Sequence, residues 1–220
     1  MGVVVSREWI AYGLSSARFK PYLDRCAGDL GKAERLYWWN VEVSSAFYTP
    51  LHCLEDCLRN ALHAELAARH ERADWWAVAA LDDDGKQQVA TARNKCGPRR
   101  GRIGGADDIV AELSLGFWVS LLGQRYDQEF WRPALHRAFR PGYTGRRDAL
   151  HKNLDHLRRF RNRIMHHEPV YHRRLEADHQ RIYELVGYLV PEMVDRLKVV
   201  DRVPAALVLD PRTATDPFQA

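Results

Sequence analysis

A chain of 220 residues has the length of one ordinary domain, and 46% apolar residues can fill a core of its own. That argues against a wholly disordered chain or one needing metal staples. Charged residues reach 28% with a formal net charge of +4, and no run approaches the length of a membrane span or a secretory leader, so neither is expected.

Taken in chain order, Leu36, Trp39, Val43 and Phe47 recur at helical spacing and predict a helix over 32–48 that Pro50 interrupts. Leu51, Leu54, Leu58, Leu62 and Leu66 predict a second long helix over 51–70, packed on the first. The segment 81–105 reads as a break, because Asp82-Asp83-Asp84-Gly85, Gly97-Pro98 and Gly101 are turn formers without a periodic face. Asp107 and Asp108 are placed to cap a helix running through Val110, Leu113, Phe117, Val119 and Leu122. A short amphipathic piece over 126–139 and a turn at Pro141, Gly142 and Gly145 follow.

Leu150, Leu154, Leu157, Phe160 and Ile164 predict a helix over 148–167, stopped by Pro169. Leu175, Ile182, Leu185, Val186 and Leu189 predict another, ending near Pro191 or fraying through Leu197. The tail 201–220 holds Pro204, Pro211 and Pro217 and is expected to pack loosely. Trp39 and Trp118 belong to the core, Trp118 alternatively to a dimer seam, and Trp75-Trp76 to a bundle end. The sum is an all-α bundle in one domain over 1–200, with a basic loop insertion at about 82–105 between the second and third long helices. Cys26, Cys53, Cys57 and Cys96 form no CxxC pair and read as reduced thiols of a cytoplasmic protein.

Charge is unevenly spread. Residues 146–174 hold nine Lys or Arg against three acids, which leaves the rest of the chain slightly negative. Arg93, Lys95, Arg99, Arg100 and Arg102 form a second cluster without an acid. Such surpluses suit a polyanion, although many are only solvated faces. Reversing Arg99 and Arg100 to Glu is expected to weaken binding of such a polyanion.

The sharpest local sequence is Arg161-Asn162-Arg163-Ile164-Met165-His166-His167-Glu168-Pro169. Asn162 and His166 share a helix face, while Arg161 lies about 140° away. A guanidinium presents fixed donors to phosphate oxygens, and imidazole exchanges protons near neutrality. On spacing alone these residues equally suit a helix C-terminus, where histidines favour the negative dipole end and proline stops the helix.

RNRIMHHEPV resembles the signature of the Abi-like (abortive infection) proteins, a branch of the HEPN superfamily. LYWWNVEVSSAFYTPLHCLEDCLRNAL (36–62), LSLGFWVSLL (113–122) and HHEPV with the helix after it resemble further elements of that family, in order, over roughly 30–195. The resemblance implies a HEPN-type helical bundle that dimerises, and a metal-independent endoribonuclease of abortive-infection or toxin–antitoxin type needing no cofactor. Arg161, Asn162, His166 and His167 match its catalytic motif, with Arg158, Arg163, Arg173 and Arg174 expected to line an RNA groove at the dimer interface. Glu55 and Arg59 are either a structural ion pair between helices or a brace for Arg161 or His166, and Asn60 reads as a helix–helix hydrogen bond. An antitoxin protein or a regulatory RNA is a further expected partner. The alternatives are a non-catalytic RNA-binding regulator, in which the 93–102 cluster dominates, and a dimerisation scaffold.

Overall fold

The computed structural model describes residues 9–97, 104–139 and 143–213. Among these residues every regular element is helical. A π-helical turn, Ile10–Leu14, leads into α1 (Ser16–Arg25), and Asp29 then caps α2 (Leu30–His70) by accepting from Lys32 N at 2.9 Å. At 41 residues α2 runs about 60 Å. It is the spine against which α1, α6, α7 and α9 pack.

The predicted break at Pro50 is absent. A mid-helix proline removes one backbone hydrogen bond and costs about 3 kcal/mol. Here the apolar stripe passes through it in phase: Phe47, Leu51 and Leu54 are all buried, and so is Pro50 itself. Burial at about 25 cal/mol per Å² over several such side chains outweighs one lost bond.

The aspartate run is also not a turn. Asp82 accepts from Gly85 N at 2.9 Å and starts α3 (Asp83–Lys95), with Asp83 and Asp84 in the first turn and Arg93 and Lys95 in the last. That order complements the helix dipole. Val89 and Ala92 bury its inner face, so the expected loop insertion is largely a packed helix. Arg99, Arg100 and Arg102 lie outside the described residues. Asp108 caps α4 (Ala106–Glu112) by accepting from Gly105 N, and Ser114 caps α5 (Leu115–Ser120) by accepting from Phe117 N. The single helix expected here is two, because Leu113 is extended and the Ser114 hydroxyl takes a donor that a continuous helix would satisfy internally. Phe117, Trp118 and Trp75 are fully buried in one aromatic cluster with Phe130, so Trp75 is core rather than an end cap.

The closing helices α6 (Arg147–Met165) and α7 (Leu175–Leu189) match their predicted stripes. α7 ends at Leu189, next to Pro191 as one of the two expectations had it, and rather than fraying onward the chain starts α8 (Pro191–Val200) with the proline where it is tolerated. The tail corrects its expectation through residue 213. Val203 and Ala206 of α9 (Val203–Val208) are buried, and Trp39 Nε1 donates to the Ala206 carbonyl at 2.9 Å. Arg212 pairs with Asp210, reaches the Tyr171 carbonyl and lies over the Trp39 ring.

Asp201 sits at the α8–α9 corner with only its side chain covered; it accepts from Tyr183 OH at 2.7 Å and Val203 N at 2.9 Å, and contacts His179 Nε2 at 2.5 Å. Burial opposes its charge, but these partners outweigh burial and hold the carboxyl below its usual range. A carboxyl depressed on folding stabilises above its unfolded pKa and loses that contribution as pH falls through the folded value. Asp201→Asn is therefore expected to lower stability by about 1–3 kcal/mol at neutral pH. The same substitution should flatten the loss of stability between pH 5 and 3, measured by urea unfolding.

Candidate functional site

The arginine and histidines of the motif sit at the end of α6, and the local sequence explains the geometry. Leu150, Leu154, Leu157, Phe160 and Ile164 bury one face of the helix, which therefore presents fixed other faces. His166 is the C-cap, with its N–H on the Asn162 carbonyl. His167 then enters the left-handed region at φ 56°, its N–H bonding Ile164 O at 3.0 Å, while Glu168 N bonds Arg163 O at 2.9 Å. This is a Schellman turn with histidine where glycine is usual, a strain of about 1 kcal/mol.

Three side chains hold that strained turn. Arg18 of α1 donates from Nη1 to the carbonyls of His166 at 2.8 Å and His167 at 3.4 Å. Arg163 faces Glu168 at 3.3 Å and the Pro169 carbonyl. Asn40, buried in α2, accepts from Val170 N at 2.7 Å. The backbone is thus fixed from three elements while both imidazoles are exposed and make no hydrogen bond or ion pair with the described residues. Sequence reasoning missed Arg18, which carries no pattern beyond a lone cation in a short helix. Asn40 was visible in the Trp-Trp-Asn element, but its partner is 130 residues away.

Arg161 points elsewhere. Its Nε lies 3.2 Å from Glu55 Oε2 of α2 and is itself buried without an aligned acceptor, so charge rather than a directed hydrogen bond holds the guanidinium. Glu55 therefore braces Arg161. Arg59 is not its ion partner: Arg59 pairs with Asp56 at 2.8 Å and touches Asn60, and Asn60 is exposed rather than bridging helices. The Asn162 side chain is half-buried. No contact joins Arg161 to His166 or His167 within the chain, as their separation around the helix dictates.

The expected groove arginines are mostly committed. Arg158 bonds Asp155 at 2.8 Å, and Arg163 serves the turn. Arg173 bonds the buried Asp178 at 2.8 Å and lies over the Phe160 ring, because leaving that carboxylate unpaired would be costly. Arg174 is exposed and has no partner among the described residues. Arg93 is exposed at the end of α3, where Lys95 meets Glu112 at 3.5 Å. Cys57 is buried beside Cys53, and burial pushes its thiol up to about 11, which makes it a poor nucleophile at neutral pH. Among the described residues no group of three His, Cys, Asp or Glu is placed to hold a metal ion, and no helix is long and apolar enough to cross a membrane.

Arg18→Ala should release the two carbonyls, relax the turn and cost about 1 kcal/mol of stability, less than a buried charged hydrogen bond because Arg18 is exposed. Arg18→Lys should recover part of this. Thermal unfolding of the three proteins checks the order.

Comparison with protein-family models, with curated proteins and with solved structures finds no match to this chain.

Proposed function

We propose that the chain is a metal-independent endoribonuclease of abortive-infection or toxin–antitoxin type, cutting RNA at a site shared by two copies. The observation that carries the reading is a pair of exposed, partnerless imidazoles on a strained and triply held turn, at the end of the helix that presents Arg161. A turn that served only to end the helix would do so at lower cost with glycine at position 167. The family resemblance of residues 161–170 points the same way.

The chemistry needs no metal. An imidazole takes the proton of a 2′-hydroxyl, whose oxygen attacks the adjacent phosphorus. The bond to the 5′-oxygen breaks, and that oxygen receives the proton back from the imidazolium. The products are a 2′,3′-cyclic phosphate and a 5′-hydroxyl end. Arg161 stabilises the charge that grows on the phosphoryl oxygens, Asn162 orients the reacting groups, and His166 is the principal acid–base group. His167 is its alternate.

Because Arg161 and His166 diverge within one chain, the proposal pairs the arginine of one copy with the imidazole of another. Trp118, which the sequence allowed as core or dimer seam, is buried in the chain's own core with Trp39, Phe117 and Phe160 and offers nothing to a partner. What α2 does leave uncovered is Trp38, Val41, Tyr48 and His52, a stripe that continues to Glu55 and hence to Arg161. Tyr48→Arg is expected to convert a dimer into a monomer in light scattering at micromolar concentration and to abolish cleavage with it. A wild-type monomer under those conditions removes the shared site. An antitoxin protein or a regulatory RNA would act by covering the same surface. The activity itself is tested by incubating purified protein with single-stranded RNA in EDTA: cleavage to cyclic-phosphate ends supports the reading, and intact RNA across pH 6–8 rejects it.

A further inference from the structure

The outward face of α6 carries a feature that acid–base chemistry at the helix end does not use. Lys152, His156, Arg159 and Arg163 recur at intervals of four, three and four, one stripe on the side away from Leu150, Leu154, Leu157 and Ile164. We propose that this stripe is a binding track for single-stranded RNA, on which Lys152 and Arg159 hold phosphodiesters on either side of His156 and lead the strand past Arg163 to the histidine turn. The inference rests on the nuclease reading for the nature of the polyanion. It adds residues and a direction of approach that the reading lacks.

Charge supports it first. Between residues 149 and 167 Asp155 is the only acid, and it is shared by Arg158 at 2.8 Å and Arg159 at 2.7 Å. Lys152 is exposed and makes no hydrogen bond or close ion pair among the described residues, although its charge is felt by Asp148 one turn earlier, and Arg159 is 71% exposed despite its share of Asp155. The negative charges nearby are spent inward or on the turn: Asp178 is buried, and Glu168 faces Arg163. His172, beside the C-terminal end of the stripe, is held below the ordinary imidazole range by burial and then by Arg163 and Arg173, which outweigh Glu168.

Geometry supports it second. His156 is oriented rather than loose. The buried Asp178 holds its Nε2 at 2.6 Å, Arg173 contacts the same nitrogen at 2.6 Å, and the half-exposed ring keeps Nδ1 without a protein partner. From Lys152 to His166 the rise is about 21 Å, so the stripe and the catalytic turn form one path along a single helix. One row of cations matches one sugar–phosphate backbone rather than the two of a duplex. The path would normally end badly for an anion, because a helix C-terminus is negative. Here Arg18 covers the carbonyls of His166 and His167, and the Schellman bonds absorb those of Ile164 and Arg163. The stripe includes no Phe, Tyr or Trp, so recognition rests on phosphates and tolerates sequence.

The test is fluorescence anisotropy with a short 5′-fluorescein 2′-O-methyl RNA, which has no free 2′-hydroxyl and cannot be cut. Lys152→Gln/Arg159→Gln, both at exposed positions, should weaken binding about tenfold and reduce the slope of log K against log salt by about 1.4, two phosphates at ~0.7 each. Lys152→Glu/Arg159→Glu should weaken it further, with circular dichroism confirming the helix content of both proteins. Unchanged affinity and slope in both variants overturn the track. So does equal competition by polyglutamate and RNA, which would assign the stripe to an acidic peptide, or a loss confined to Arg99→Gln/Arg100→Gln. Cleavage of unmodified RNA in EDTA is scored separately. Stripe-dependent binding without cleavage rejects the nuclease and keeps the track, whereas cleavage with stripe-independent binding does the reverse.

Discussion

His166→Ala is expected to lower metal-independent RNA cleavage by about 10²- to 10⁴-fold, the usual contribution of a positioned acid or base. The fold should survive, because the imidazole is exposed and bonds to nothing among the described residues, while the backbone contacts at 166 remain available to alanine. The companion substitution separates the two imidazoles. His167→Ala would confound loss of the ring with the strain of alanine at φ 56°, whereas His167→Gly removes the ring and relieves the strain together. His167→Gly should therefore raise thermal stability slightly and leave more activity than His166→Ala. If His167→Gly is inactive and His166→Ala is active, the roles are exchanged.

Arg161→Ala should lower cleavage by about 10²- to 10³-fold, the loss expected when one donor to a developing oxyanion is removed. Its effect on stability should be smaller, about 1 kcal/mol, since Glu55 keeps some access to water and is not left as a buried, unpaired charge. Arg161→Lys should recover little, because an ammonium lacks the planar fork that grips two phosphoryl oxygens. Glu55→Gln removes the charge that holds the guanidinium, and should raise KM more than it lowers kcat if Glu55 only positions Arg161. Steady-state kinetics on one RNA distinguish these outcomes.

The helices whose stripes run without interruption were legible in the sequence, α6 and α7 above all, since Leu150 to Ile164 and Leu175 to Leu189 encode a face and a length together. The misreadings came where a strong local rule met a tertiary one. Pro50 is a breaker by local chemistry, yet Phe47, Leu51 and Leu54 bury around it and carry the helix through. Asp82-Asp83-Asp84-Gly85 suits a turn or a helix start equally, and Val89 and Ala92 finding a surface to pack on decides for the helix. The tail looked unpackable because its anchors, Trp39 and Tyr171, are far away in sequence. For the site, residue types were legible and directions were not. Arg161 on α2 and His166 in solvent follow from a 100° step per residue, but which neighbour waits on each side is a property of the assembled bundle. Arg158, Arg163 and Arg173 read as free phosphate ligands for the same reason: sequence counts cations, and only packing reveals the carboxylates and carbonyls that already occupy them.

If the arginine of one copy works with the imidazole of another, two inactive proteins should complement each other when mixed. Arg161→Ala and His166→Ala, each inactive alone, are combined, exchanged through mild denaturant and assayed on single-stranded RNA in EDTA. In a two-fold dimer the mixed species holds one site with an intact arginine and an intact histidine, so the mixture should regain about a quarter of wild-type activity. No recovery from a mixture shown to contain mixed dimers would contradict the account.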